Sequence, residues 1–185
     1  MTMRDGRFAA EIEGDFVVFV IGMRINRLLL VHKWLPVARA MPRMLRELMQ
    51  QPQLGLLGAR AYLSGRTVMT MQYWRSFEQL HAYAHAKDKE HLPAWAEFNR
   101  RVGGNGAVGI FHETYLVAEG QYESVYVNMP EFGLGVAGRV IPAEDACRAR
   151  RRDCGSRIRN SRCGEAIWIW HRGSAALCGS WYEVR

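Results

Sequence analysis

Phe16–Ile25, FVVFVIGMRI, is the stretch on which the fold turns. Val17, Phe19, Ile21 and Met23 lie at one parity and Phe16, Val18 and Val20 at the other, and all are apolar. Successive strand side chains point to opposite faces, so the pattern predicts a strand covered on both sides. Downstream, Val37, Met41, Met44, Leu45 and Leu48 recur at helical spacing among Arg39, Arg43, Arg46 and Glu47. Pro36 fits a first helical turn, and Pro42 is expected to kink or divide the helix. LLGARAYL and TVMTMQYWR flank Ser64, Gly65 and Arg66, which reads as a hairpin. Ser76 and Gln79 have capping-box spacing and open a second helix with Phe77, Leu80 and Ala84 inward.

After the charged run Lys87-Asp88-Lys89-Glu90, Pro93 opens another helical stretch with Trp95, Phe98 and Val102 inward. GGNG at 103–106 ends it, and VGIFHETYLV and YESVYVN read as closing strands. The order βαββαβ, with an extra strand, predicts an α+β, ferredoxin-like fold with an antiparallel sheet. That topology puts helices on one sheet face only. The other face needs cover, most economically the same face of a second copy, so a homodimer is expected.

At 185 residues and 49% hydrophobic, the chain has the length and composition of one folded domain with a tail. Its net charge of +7 is weighted toward residues 143–185, where nine arginines stand against five acidic residues. Residues 1–142 are then only mildly basic, and no nucleic-acid partner is expected. The apolar runs are too short to span a bilayer, and Glu11, Glu13 and Asp15 precede the first, so the expectation is a cytoplasmic protein without a membrane partner. All four cysteines (Cys147, Cys154, Cys163, Cys178) fall in the tail without a C-x-x-C pair, which removes zinc-ribbon spacing. The tail is dense in Arg, Cys, Trp and Gly and has no sustained period. The domain boundary is therefore expected at 142/143, with 143–185 poorly ordered or translated in a shifted frame.

The segments GRFAAEIEGDFVVFVIGMRINR, HKWLPVARAMPRMLREL, QYWRSFEQLHAYAHAKDKEHLPAWAEFNR, GIFHETYLV and YVNMPEFGLGVAGR together resemble the family named after the fumagillin-pathway monooxygenase, across residues 6–142. That resemblance implies the dimeric α+β barrel superfamily, with the antibiotic-biosynthesis monooxygenases and several haem enzymes. It implies a monooxygenase-like oxidoreductase of secondary metabolism, acting on a hydrophobic oxygenated small molecule of polyketide or terpenoid type. No flavin or nicotinamide is expected, and no cofactor is required. The alternatives are a haem-binding member, either an oxygenase or a dehydratase, and a non-catalytic ligand-binding dimer. In the superfamily's haem-degrading members a histidine following a strand-ending Trp and a helical aromatic is the axial ligand, and Trp74, Tyr83 and His91 stand in similar order here. His91 is thus the cofactor residue if haem binds, although the Asn that those enzymes place on the first strand is missing and Asn26 follows it.

No P-loop, G-x-G-x-x-G, G-x-S-x-G or D-x-D-type metal loop occurs, which removes most phosphoryl-transfer, nicotinamide and serine-hydrolase chemistry. His81 and His85 have the one-turn spacing of a helical metal pair, but Ala-Tyr-Ala lies between them and no third ligand is fixed; they read as the polar shoulder of the helix, and no metal site is assigned. In VGIFHETYLV, His112 and Thr114 share one parity with Ile110 and Leu116, while Tyr115 shares the other with Phe111 and Glu113. His112, on what reads as a central strand, is the best candidate base, with Trp74, Tyr115 and Arg24 as orienting or charge-stabilising groups. If the second sheet face lines a cavity, Arg24, Tyr62, Gln72, Trp74, His112 and Thr114 are the polar or aromatic side chains expected to reach it, with Arg24, Tyr62, Gln72 and Thr114 contacting substrate.

Overall fold

The computed structural model describes residues 2–86, 96, 98–100 and 106–146. These belong to the compact unit Met1–Cys147; the second unit, Arg148–Arg185, lies outside the described residues, as do His91, Trp95 and Val102. The elements are β1 (Arg7–Glu11), β2 (Phe16–Ile25), α1 (Val31–Gln50), a 3-10 turn (Pro52–Leu54), β3 (Leu56–Ser64), β4 (Thr67–Trp74), α2 (Phe77–His85), β5 (Val108–Val117), β6 (Tyr126–Val127), α3 (Leu134–Ala137) and β7 (Arg139–Pro142).

Four strands form an antiparallel sheet in the order β3-β4-β2-β5, the ferredoxin-like arrangement expected. β2 is central, as its two apolar parities require. At one parity, Val17 packs with Leu48 of α1, Trp74, and Leu80 and Tyr83 of α2. Farther along the same face, Met23 and Ile25 pack with Trp34, Val37 and Ala38 of α1 and with Phe98. On the opposite face Gly22 is needed by close approach: a Cβ there would sit 2.7 Å from the Met69 Cβ and from the Phe111 ring. The β3–β4 hairpin has a two-residue loop, Gly65-Arg66, between the paired Ser64 and Thr67. Gly65 has φ +55° and is the loop residue with positive φ, the pattern of a II′ turn that matches strand twist.

The helices depart from expectation at four points. α1 begins at Val31, so Pro36 falls past its first turn, and the helix runs undivided through Pro42. Its inward face, rather than its local propensity, holds it together. In α2 the Ser76 hydroxyl accepts the Gln79 N–H (3.2 Å), but Gln79 does not complete the reciprocal box; its side chain lies against Gly55 with Oε1 buried and unpartnered. The buried residues of α2 are Leu80 and Tyr83, whereas Phe77 is exposed.

A second sheet, β6-β1-β7, is the larger surprise. Only two residues of β6 pair with β1. Along that edge, side chains replace the missing strand: the Ser124 hydroxyl accepts from Ala10 N–H (2.9 Å) and donates to Ala10 C=O (3.2 Å), and Tyr122 does the same for Ile12 (2.7 and 3.1 Å). This sheet and α3 supply Ala10, Ile12 and Leu134, with Tyr122, Tyr126 and Ala137, against Phe16, Val18, Tyr73 and Met71 of the four-stranded sheet. One end of the second face is therefore covered by the chain itself, correcting the expectation that only another copy could cover it.

Burial, with Tyr126 and Tyr62 nearby, pushes the Tyr73 phenol up to about 12. The folded state then holds this proton more tightly than the unfolded chain, whose phenol ionises near 10. The resulting stability is complete below pH 10 and is lost as pH rises toward 12, by about 2–3 kcal/mol through linkage. Urea unfolding at pH 8 to 12 should show this decline in the wild type and a shallower one in Tyr73→Phe; equal alkaline slopes would assign the loss to other groups. Removal of residues 143–185 should leave the unfolding midpoint unchanged, because β7 ends at Pro142 and its pairing with β1 lies wholly before the cut. Loss of folding on truncation would place the domain boundary later.

Candidate functional site

Register sorts the candidate side chains between the two faces of the sheet. Facing the helices, one row runs Ala61, Thr70, Ile21, His112, and the next runs Ala59, Gln72, Phe19, Thr114. A third holds Leu56, Trp74, Val17 and Leu116. On the opposite face lie Tyr62, Met69, Gly22 and Phe111 in one row, Tyr73, Val18 and Tyr115 in another, and Arg24 beside Thr67. The expected single grouping on the second face is thus corrected: Gln72, Trp74, His112 and Thr114 share the helix side, while Arg24, Tyr62 and Tyr115 are on the other.

The helix-side floor carries a directed hydrogen-bond ladder. Trp74 Nε1–H donates to Gln72 Oε1 (3.0 Å), and Gln72 Nε2–H donates to Thr70 Oγ1 (3.2 Å), with Met41 Sδ 3.6 Å away. Thr70 O–H in turn points to the Ile21 carbonyl at 3.5 Å. An indole N–H can only donate, so it fixes which end of the Gln72 amide faces it. Trp74, Thr70 and Gln72 are 1%, 2% and 3% exposed, so the ladder satisfies polar groups that water does not reach. Sequence reasoning named Gln72 and Trp74 but missed Thr70; its signal was the alternation Thr70-x-Gln72-x-Trp74 at the inward parity of one strand.

His112 sits at the open side of this floor. β5 is an edge strand, not the central strand expected, and His112 and Thr114 are exposed. The imidazole lies 5.9 Å from the Phe19 ring, centroid to centroid. Two strand spacings, about 10 Å, separate the His112 and Thr70 positions of one row. The face thus offers a histidine at its rim, an aromatic wall at Phe19 and a hydrogen-bonded polar floor. Tyr115 is not brought to it. Its phenol donates to Glu113 Oε2 (2.6 Å), and that bond, with the carboxylate charge, raises its pKa. Tyr62 packs edge-on against Phe132, whose ring also lies under the Arg60 guanidinium.

The haem alternative rests on His91, outside the described residues. The described partners do not fit a macrocycle stacked beside Trp74: that indole is packed among Leu48, Leu80 and Tyr83, and Tyr83 O–H is committed to Glu47 (2.9 Å). Asn26 lies beyond β2 and donates to the Gly106 carbonyl (3.1 Å). Among the described residues no group of three or more His, Cys, Asp or Glu is placed to hold a metal, and no helix is long and apolar enough to cross a membrane.

Comparison with known proteins follows the same segment. Residues 16–134 match the family described as monooxygenase af470-like. Monooxygenase af470 of Aspergillus fumigatus (strain ATCC MYA-4609 / CBS 101355 / FGSC A1100 / Af293) is 32% identical over 143 residues, which cover 71% of this chain and 50% of that protein. The chain therefore spans about half the length of the curated relative it matches. The crystal structure of an aldoxime dehydratase (OxdRE) in complex with butyraldoxime superposes with a TM-score of 0.55 at 16% identity, over 72% of this chain and 40% of that one. A second aldoxime dehydratase structure gives 0.55 at 20% identity, over 76% and 42%. At such identities the likeness speaks for the fold alone. The family match spans more than half of the sequence, from the start of β2 into α3, and takes in all three rows of the helix-side floor: the chain belongs to the monooxygenase af470-like family.

Proposed function

We propose that the chain forms half of an α+β barrel monooxygenase that oxidises a hydrophobic, oxygenated small molecule of polyketide or terpenoid type, held on the helix side of the four-stranded sheet. The observation that carries this reading is the joint placement of His112, Thr114 and Phe19 on the face floored by the Trp74–Gln72–Thr70 ladder. A flat substrate would lie over Ile21 and Phe19 with its acidic C–H or phenol O–H toward His112. Imidazole is the side chain that is a free base near neutral pH and can take that proton. The carbanion then reduces O₂, forming a C–O bond and leaving a peroxide. Loss of water, with the proton returned from His112, converts a CH₂ group and O₂ to C=O and H₂O. Thr114, two residues from His112 on the same face, would orient a substrate oxygen, and the ladder beneath keeps the floor fixed.

Oxygen-electrode assays of the purified protein with anthrone-, phenol- and terpenoid-type candidates test the reading, with consumption of one O₂ per product as the expected result. A Soret band in the purified protein would replace it with haem chemistry. Saturable binding without oxygen consumption would make the protein a ligand-binding dimer.

The same reading takes a second copy as the partner. Val20, Met69 and Phe111 lie half-buried on the second face outside the cluster that β1, β6 and α3 cover, and the curated relative has about twice the length that this chain covers. A second copy would supply the other half-barrel. Light scattering should give twice the chain mass; a monodisperse monomer would count against the paired barrel.

A further inference from the structure

The exposed face of α2 carries a feature that the proposed oxygenation does not use. The imidazoles of His81 and His85 stack with centroids 4.1 Å apart and planes 28° from parallel. His85 Nδ1 lies 2.9 Å from the His81 carbonyl oxygen. A carbonyl can only accept, so in the neutral ring Nδ1 carries the proton and Nε2 is the nitrogen with the lone pair. Metal-ligating histidines are oriented in this way: one ring nitrogen donates to a backbone carbonyl, which fixes the tautomer and raises the basicity of the other.

We infer that His81 and His85 form a two-imidazole chelate for a divalent late first-row metal ion on the last turn of α2. Metal–imidazole distances of about 2.0–2.1 Å require the two ligating nitrogens to come within about 3–4 Å of a common side. The stack holds both rings side by side on one helical turn, and rotation about their side-chain bonds would turn their in-plane lone pairs toward a common point. The ion would sit by the C-terminal end of the helix, where the aligned peptide dipoles favour positive charge. Two neutral nitrogen ligands suit Cu(II), Ni(II) and Zn(II) over Mg(II) or Ca(II), with Cu(II) tightest. Among the described residues no third ligand joins the pair.

The experiment is a calorimetric titration of metal-free, tag-free full-length protein with Ni(II) alone, which the cysteine thiols do not reduce. Wild type, His81→Asn, His85→Asn and the double variant are compared, so that sites elsewhere cancel. The wild type should bind one more equivalent than the double variant, and each single substitution should weaken that equivalent on the order of tenfold or more, as expected when a chelate becomes a lone ligand. Identical isotherms in all four proteins would overturn the site. A second measurement needs no variant fold: substoichiometric Ni(II) should broaden the imidazole NMR signals of His81 and His85 together and first. Selective broadening of other histidines before these two would equally sink the proposal.

Discussion

His112→Ala is expected to lower oxygen-dependent turnover on the order of 10²–10⁴-fold, the usual range for loss of a general base, while leaving the fold and the oligomer intact. The structural cost should be small because the side chain is exposed on the edge strand β5, so its removal opens no cavity in the core. Its ring contact with Phe19 is replaced by water. His112→Gln separates roles further, since an amide keeps a hydrogen bond but cannot take a proton near neutral pH. Both variants should be inactive if the imidazole is the base, whereas an active Gln variant would make it an orienting group. Tyr115→Phe and Arg24→Ala, on the opposite face, should change turnover little, as should His81→Ala and His85→Ala on the exposed face of α2. Turnover surviving in His112→Ala would remove His112 as the base and leave the proton transfer to another group.

Elements whose burial is written into short-range periodicity are legible in the sequence. Phe16–Ile25 is apolar at both parities because β2 is central, packed on the helices along one face and on β1 and α3 at one end of the other. Gly65 marks the hairpin because a two-residue loop needs a positive φ there. The β6-β1-β7 sheet is not legible, for an equally physical reason. β1 is five residues long with alanines at its buried centre, and much of its free edge is satisfied by the hydroxyls of Ser124 and Tyr122 rather than by another strand. Such side-chain bonds join residues more than 100 positions apart and leave no local period.

The candidate site divides along the same line. Parity within β5 correctly separates His112 and Thr114 from Tyr115. Which of those faces also carries Arg24 or Tyr62 depends on the register between strands, and a one-residue slip exchanges the faces. Register is set by pairs such as Ile21 with both Thr70 and His112, far apart in sequence. The edge position of β5 is likewise a property of the sheet order and not of the strand: apolar residues at both parities make it read as central, yet Leu116 and Tyr115 are 71% and 51% exposed on its two faces.

Trp74→Ala should be the most destabilising substitution tested in the four-stranded sheet. The indole packs against Val17, Leu48, Leu80 and Tyr83, and large-to-small changes of a buried aromatic cost about 3–5 kcal/mol. Removing the indole also takes the donor from Gln72 Oε1, a buried acceptor whose loss of a partner costs about 1–3 kcal/mol. Against a typical total of about 5–15 kcal/mol, the variant should be largely unfolded or close to it, so its inactivity would say nothing about chemistry. Trp74→Phe is the informative change, because it keeps most of the apolar volume and deletes only the N–H and part of the ring. It should cost about 1–3 kcal/mol by urea unfolding, and pairing it with Gln72→Leu should recover part of that, since Gln72 Oε1 is removed with its donor while Thr70 Oγ1, which loses the Gln72 N–H, still donates to the Ile21 carbonyl. Met41 and Thr70, the other neighbours of the Gln72 amide, are unchanged in that cycle. A structural indole predicts this coupling together with near-normal turnover in Trp74→Phe at a temperature where it is folded. If Trp74→Phe is instead as stable as the wild type but turns over far more slowly, the N–H acts on substrate, and Trp74 moves from the floor of the site into its chemistry.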